Sequence, residues 1–237
     1  MSAPRLVDLS HAVEHGLVTY PGLPAPVISD FLTREASEGH YAPSTTFHIA
    51  RIDMVANTGT YVDSPFHRHA AGADLAGLPL ERLAHLDGVL IDARGRAGRA
   101  VDADALEGRQ LRGKAVLVCT GWDRHWQTPR YADGHPFLPR RTVERLVAAE
   151  PALVGIDSLN IDDTTDPERP AHSLLLGAGI PSPSTSATWT PCPSSGSAST
   201  ACRPSSGAWA PSRCAPTPSS TEASASDEAS ESCSDVQ

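Results

Sequence analysis

Hydrophobic and polar positions set out a series of short elements that stops abruptly at Pro181. Residues 5–10 alternate as a short strand, and residues 47–55 alternate well enough to predict a strand with one buried face. Residues 17–26, broken by Pro21-Gly22 and Pro24, read as a loop or edge segment. Residues 57–69 read as a loop that opens on Thr58-Gly59-Thr60 and contains Pro65. A short helix over 80–85 precedes a strand over 88–93, and a second short helix over 102–107 carries Asp102 near its cap. The nearly continuous apolar run 114–119 predicts a strand buried on both faces. An amphipathic helix over 140–149 leads into a strand over 152–157, and 171–177 forms a helix turn that ends near Gly179. Alternating strands and helices predict an α/β fold or mixed sheet, with polar loops gathered at the strand ends.

Beyond Pro181 the pattern is lost. Residues 182–237 contain no Leu, Ile, Met or Phe, and their only Val is Val236. Ser, Pro, Ala and Thr dominate, and four of the five cysteines (Cys192, Cys202, Cys214, Cys233) fall here at spacings that match no zinc-binding C-x₂-C pair. Such a stretch cannot bury enough apolar surface to offset about 1–2 kcal/mol of backbone entropy per ordered residue. The expectation is a domain over 1–181 and a disordered tail over 182–237. Back-translation into GC-favoured codons, read two bases along, permits a charged helix start with periodic Leu and then strand-like FRFHGV and TFPV. The tail is either a natural low-complexity segment or, the favoured origin, the product of a shifted reading frame near codon 181, in which case the domain is truncated at its C-terminal end.

The formal net charge of −9 argues against nucleic acid or an anionic membrane as partner. The N-terminal segment MSAPRLVDLS lacks the apolar core of a signal peptide, and no apolar run reaches the ~20 residues needed to span a bilayer, so the cytoplasm is the expected compartment. Cys119, inside a strand-like run, reads as a packed thiol.

Candidate chemistry gathers in two places. In N-T-G-T-Y-V-D-S-P-F-H (57–67), Gly59 permits a tight turn and Pro65 stiffens the chain between Asp63 and His67. A carboxylate and an imidazole four residues apart can converge as a metal pair or as a base with its orienting partner, although the spacing is also common in purely structural contexts. The second place follows the apolar strand L-V-G-I-D: Asp157-Ser158 closes it, and His172 follows the acid-rich loop I-D-D-T-T-D-P-E-R-P. Asp162 and Asp163 in that loop either coordinate something or are simply solvated acids. His11 either lines a site or ends its strand, His48 reads as a hydrogen-bonded interior group, and Trp122 is either an aromatic wall for a substrate or ordinary packing.

D-L-S-H, Y-P-G (20–22), the 57–67 segment, T-G-W-D (120–123), G-H-P-F-L (134–138), G-I-D-S (155–158) and P-A-H-S-L-L-L-G-A-G-I-P (170–181) together resemble the cyclase family, which includes the bacterial kynurenine formamidases, or arylformamidases. The resemblance runs from about Leu6 to Pro181. It implies a swivelling β/β/α fold, a homo-oligomer, and a zinc- or manganese-dependent hydrolase of a small amide or ester, with N-formylkynurenine, from tryptophan catabolism, as the named family substrate. The family signature is H-x-G-T-H-x-D-x-P-x-H, completed by a later His and a Glu twelve residues beyond it. By position, Asp63 matches the aspartate ligand, His67 the acid/base and His172 the later His ligand. Asn57, Tyr61 and Ser184 stand where the family has its other ligands, and the shifted reading would place a Glu at the last of these. Asn57, Tyr61 and Trp122 are then the candidate substrate contacts. These departures from the family pattern leave two expectations: an impaired hydrolase, or a non-catalytic relative that binds a small ligand or is a damaged gene product.

Overall fold

The structure, a computed structural model, describes residues 8–184. The expected disorder of the tail, apart from its first three residues, and the first three positions of the expected strand 5–10 lie outside that range. The scaffold is a parallel three-stranded sheet, with β4 (Gly88–Asp92) and β6 (Leu153–Ile156) flanking β5 (Ala115–Cys119). Its strands are short because each is a single apolar run ended by polar residues. Every residue of β5 and β6 is buried, as an apolar run without alternation requires.

One face of this sheet is covered by α1 (Arg140–Ala149) and α2 (Pro170–Gly177), which pack on each other. Val116, Val118, Val154 and Ile156 from the sheet meet Val143, Leu146, Ala171 and Leu175 from the helices in one core. The α1 stripe of Val143 and Leu146 is fully buried, the ordinary outcome of apolar residues at helical spacing. Pro170 starts α2, where its missing N–H is no loss.

Two antiparallel ribbons complete the fold. β1 (Val27–Leu32) pairs with β2 (Ile49–Asp53), with Ile28 opposite Ile52 and an irregularity between Asp30 and Leu32. β3 (Tyr61–Asp63) pairs with β7 (Ser182–Ser184), placing Tyr61 opposite Ser184 and Asp63 opposite Ser182. β7 also lies along β6: the Val154 amide donates to the Pro181 carbonyl, and Ser182 Oγ donates to the Val154 carbonyl. Gly155 makes this approach feasible, since a Cβ there would stand 2.9 Å from Pro183 Cγ.

Several expectations change. Residues 8–10 form no strand. β1 lies just beyond the expected loop 17–26, where no element was expected, and β3 lies inside the expected loop 57–69. β2 is a strand as expected, but it lacks the buried face: Ile49 is 48% and Ile52 39% exposed, because the β1–β2 ribbon has nothing packed over them among the described residues. The helices expected at 80–85 and 102–107 are single 3₁₀ turns, Leu80–Arg82 and Ala103–Leu106, and the Asp102 side chain makes no cap bond. Ser182, Pro183 and Ser184, expected in the tail, are buried and form β7. Pairing with β3, not side-chain hydrophobicity, orders them. No helix among the described residues is long and apolar enough to cross a membrane.

Candidate metal centre

β3 delivers Asp63 to the interior, and the chain then turns through Ser64 into a 3₁₀ turn, Pro65–His67, with the His67 amide donating to the Ser64 carbonyl. That turn brings His67 back over Asp63, with its Nδ1 3.5 Å from Asp63 Oδ1. The segment is fastened to α2 from the other side. Arg68 Nε donates to Ser173 Oγ at 3.1 Å, and His69 Nε2 lies 3.0 Å from the Ser173 carbonyl. α2 thereby presents His172, whose Nε2 is 3.6 Å from Asp63 Oδ2 and whose ring centre is 5.7 Å from that of His67. One ligand atom from each of Asp63, His67 and His172 lies within 4.8 Å of the others.

Asp162 fixes the orientation of His172. It is fully buried and accepts from the Ala171 amide at 2.6 Å, the His172 amide at 3.1 Å and His172 Nδ1 at 2.5 Å. It thus caps the first turn of α2 and holds the proton on Nδ1, turning Nε2 toward Asp63. Burial by itself would lower the pKa of His172. The hydrogen bond to Asp162 and the nearby carboxylates of Asp162 and Asp63 outweigh it and raise the pKa to about 9.

The donor set fits a divalent cation. Asp63 is 4% exposed, and its Oδ2 is buried with no hydrogen-bond donor, an expensive state for a carboxylate oxygen unless a cation sits against it. A carboxylate behind a histidine whose free nitrogen faces a second carboxylate is the arrangement that metal-binding histidines use. Asn57 and Tyr61 do not extend the set. Asn57 Nδ2 donates to Asp63 Oδ1 at 3.2 Å, so its amide N–H points at the carboxylate. Burial first and the Asp63 charge second push Tyr61 far above the ordinary phenol range, so it keeps its proton and is a poor ligand. Ser184 is buried opposite Tyr61, and its Oγ has no hydrogen-bond partner.

The sequence-selected residues therefore divide. Asp63, His67, His172 and Asn57 come together, and Tyr61 borders them. Trp122 is instead packed: it is 8% exposed, clusters with Tyr131 and Leu159, and donates its indole N–H to the Tyr131 carbonyl. Trp126, which the sequence reading passed over, is the indole stacked on His11, at 4.0 Å and 6° between ring planes. Asp162 is no solvated acid but the buried anchor of His172; the buried Leu159 and Ile161 just before it were the available signal. Asp163 pairs with Arg99 at 3.2 Å. His48 is not interior; it is exposed and bonds Asp30 at 2.7 Å. Asp157 is buried and accepts from the Thr120 and Gly121 amides and from Thr120 Oγ1, fastening the base of the tryptophan loop to the end of β6. Cys119 is buried, and burial followed by the Asp157 charge pushes its thiol up to about 12, as a packed, unreactive cysteine requires.

A kynurenine formamidase of Bordetella avium is 30% identical over 187 residues, covering 74% of this chain and 79% of that protein. The kynurenine formamidase of Maricaulis maris is 25% identical over 178 residues, covering 72% and 77%. Isatin hydrolase A from Labrenzia aggregata, solved with benzyl benzoate, has a TM-score of 0.64 at 20% identity, over 78% of this chain and 81% of that one. A potential metal-dependent hydrolase with cyclase activity gives 0.63 at 22% identity, over 78% and 82%. The two solved structures share the fold. The family model Putative cyclase matches residues 7–163, well over half of the sequence, and the chain belongs to the cyclase family.

Proposed function

We propose that this protein is a metal-dependent hydrolase of a small aromatic amide, of the kind its kynurenine formamidase relatives represent, with N-formylkynurenine as the first substrate to test. The observation that carries this reading is the convergence of Asp63, His67 and His172 on a buried carboxylate oxygen that no donor satisfies. Asp63 and His172 are the buried holders of the ion. A bound zinc or manganese ion supplies polarisation of the amide carbonyl and a more acidic water.

The chain's own groups do the rest. Asp162 keeps the Nδ1 proton of His172 in place and leaves Nε2 free to face the ion position. The Asn57 amide N–H holds one oxygen of Asp63, so the other keeps its direction. His67 is 44% exposed, the open member of the group, and its Nδ1 faces Asp63, which leaves Nε2 toward solvent. It is placed to take a proton from water and return it to the leaving amine. Tyr61, kept protonated, forms a neutral wall.

The test is metal content and hydrolysis of formanilide and N-formylkynurenine by the full chain and three variants. Asp63→Ala and His172→Ala lose metal and activity together. His67→Ala keeps its metal and loses kcat by about 10²–10⁴, the range for general acid–base catalysis. Metal loss from His67→Ala makes His67 a third ligand instead. Full activity in Asp63→Ala ends the reading.

A further inference from the structure

Next to the metal-binding group the structure carries two further buried polar atoms, His11 Nε2 and the Tyr131 hydroxyl, neither of which has a hydrogen-bond partner. Tyr131 is only 4% exposed. A buried hydroxyl or imidazole nitrogen without a partner is costly, and a site that pairs with a ligand is one established reason for such groups to persist. The two belong to one place. His11 stacks face to face on Trp126, and Tyr131 meets the same indole edge-on, with ring centres 5.2 Å apart and planes at 85°. Trp126 thus covers both.

The place adjoins the reactive group through Tyr61. The His11 amide donates to Thr60 Oγ1 at 3.0 Å, immediately before Tyr61, and the Tyr61 and Tyr131 phenols lie close enough to influence each other's ionisation. Burial lowers the His11 pKa, so the ring is neutral near pH 7 and can carry its proton on Nε2. Burial raises that of Tyr131, so its hydroxyl remains a donor. Two neutral donors ask for an oxygen acceptor. The nearby carboxylates of Asp123 and Asp157 make the surroundings negative, which disfavours an anionic acceptor and favours a ketone or amide oxygen.

We propose that His11 Nε2 and the Tyr131 hydroxyl form a carbonyl-recognition point beside the metal group, which selects aromatic amides carrying a second, neutral carbonyl on the ring, and that Trp126 is the cover that swings aside to admit it. The proposal rests on the hydrolase reading for the reaction, but not for the binding. The covering segment suits such a motion. Trp126 lies between two short 3₁₀ turns, Trp122–His125 and Pro129–Ala132, and Gln127, directly after it, has φ of 62°, a left-handed conformation uncommon for a non-glycine residue whose strain a swing of Trp126 would relieve. Its base is held fast by Asp157 through Thr120 and Gly121, and the Trp122 indole N–H holds Tyr131 at the far turn, so the movement is confined to Trp126 and Gln127 between them.

The experiment compares two near-isosteric ligands by calorimetry on the full chain: 2-aminoacetophenone, which has the ring ketone, and 2-ethylaniline, which lacks it. The wild type binds the ketone about five- to tenfold more tightly, and Tyr131→Phe and His11→Phe each lose most of that preference. In turnover, Tyr131→Phe raises KM for 2-formamidoacetophenone about five- to tenfold more than for formanilide. Removing an unpartnered hydroxyl also raises the Tm of the free protein by about 2–4 °C. Equal binding of the two ligands by the wild type, or an intact preference in both variants, overturns the proposal, as does a lowered Tm in Tyr131→Phe. Absence of metal and turnover with the ligand preference present sinks the hydrolase reading alone.

Discussion

Replacing Asp162 by Asn tests the electrostatic anchor of the site with almost no change of shape. The carboxylate holds two amides at the start of α2 and the imidazole of His172, and asparagine can retain one acceptor oxygen but not the charge. In the metal-free protein the two carboxylates raise the His172 pKa from an ordinary 6.5 to about 9, a difference worth about 3 kcal/mol. The sign is that of a raised histidine: this stability is fully present below about pH 6.5 and is lost as pH rises through about 9. Asp162 is the larger of the two carboxylate contributions, so Asp162→Asn removes about 2 kcal/mol of it. One amide left without its acceptor adds about 1–2 kcal/mol at every pH. Urea unfolding in the presence of a chelator should therefore show the variant about 3–4 kcal/mol less stable at pH 6 but only about 1–2 kcal/mol less stable at pH 10. With metal restored, affinity falls about 10–100-fold, as for loss of a histidine's supporting carboxylate. A destabilisation of the same size at both pH values would refute the reasoning, since it would mean that His172 carries no proton to be held.

Three further outcomes follow from the packing. Gly155→Val drives a side chain into Pro183 and should cost about 1–3 kcal/mol in urea unfolding while weakening metal binding through β7; unchanged metal affinity would show that β7 does not support the site. A gene with the frame restored after Pro181 should yield a protein with more bound metal and faster formamide hydrolysis than the chain as it stands, because Ser184 is buried opposite Tyr61 with an unpartnered hydroxyl where the resemblance calls for a carboxylate; equal activity would mean that Ser184 was never a ligand position. The expected homo-oligomer should form through the β1–β2 ribbon, where Val27, Phe31, Phe47, Ile49 and Met54 are all exposed, so Phe31→Asp with Ile49→Asp should lower the mass measured by light scattering. A wild-type monomer at all concentrations would remove that idea.

The order of the central elements was written in the chain itself. β5, β6 and α1 appear within a residue or so of where apolar runs and helical spacing put them, because burial on both faces or along one stripe leaves a direct trace in composition. Gly59 and Pro65 likewise marked the turn that carries Asp63 and His67, and the motif order pointed to the cyclase family. What the sequence could not supply were contacts made across distance. β3 and β7 are three residues each, too short for a pattern, and exist because they pair with one another and because β7 lies along β6. Asp162, which could have been a solvated acid, became a buried anchor once α2 was laid against the 160–163 loop, since the hydrogen bonds that repay its burial come from Ala171 and His172. β2 went the other way: its alternation promised a buried face, and the fold sets nothing over it among the described residues. Local chemistry fixed which residues could form strands, turns and ligands. Only packing decided which polar groups lost their water, and with it which of them the site could use.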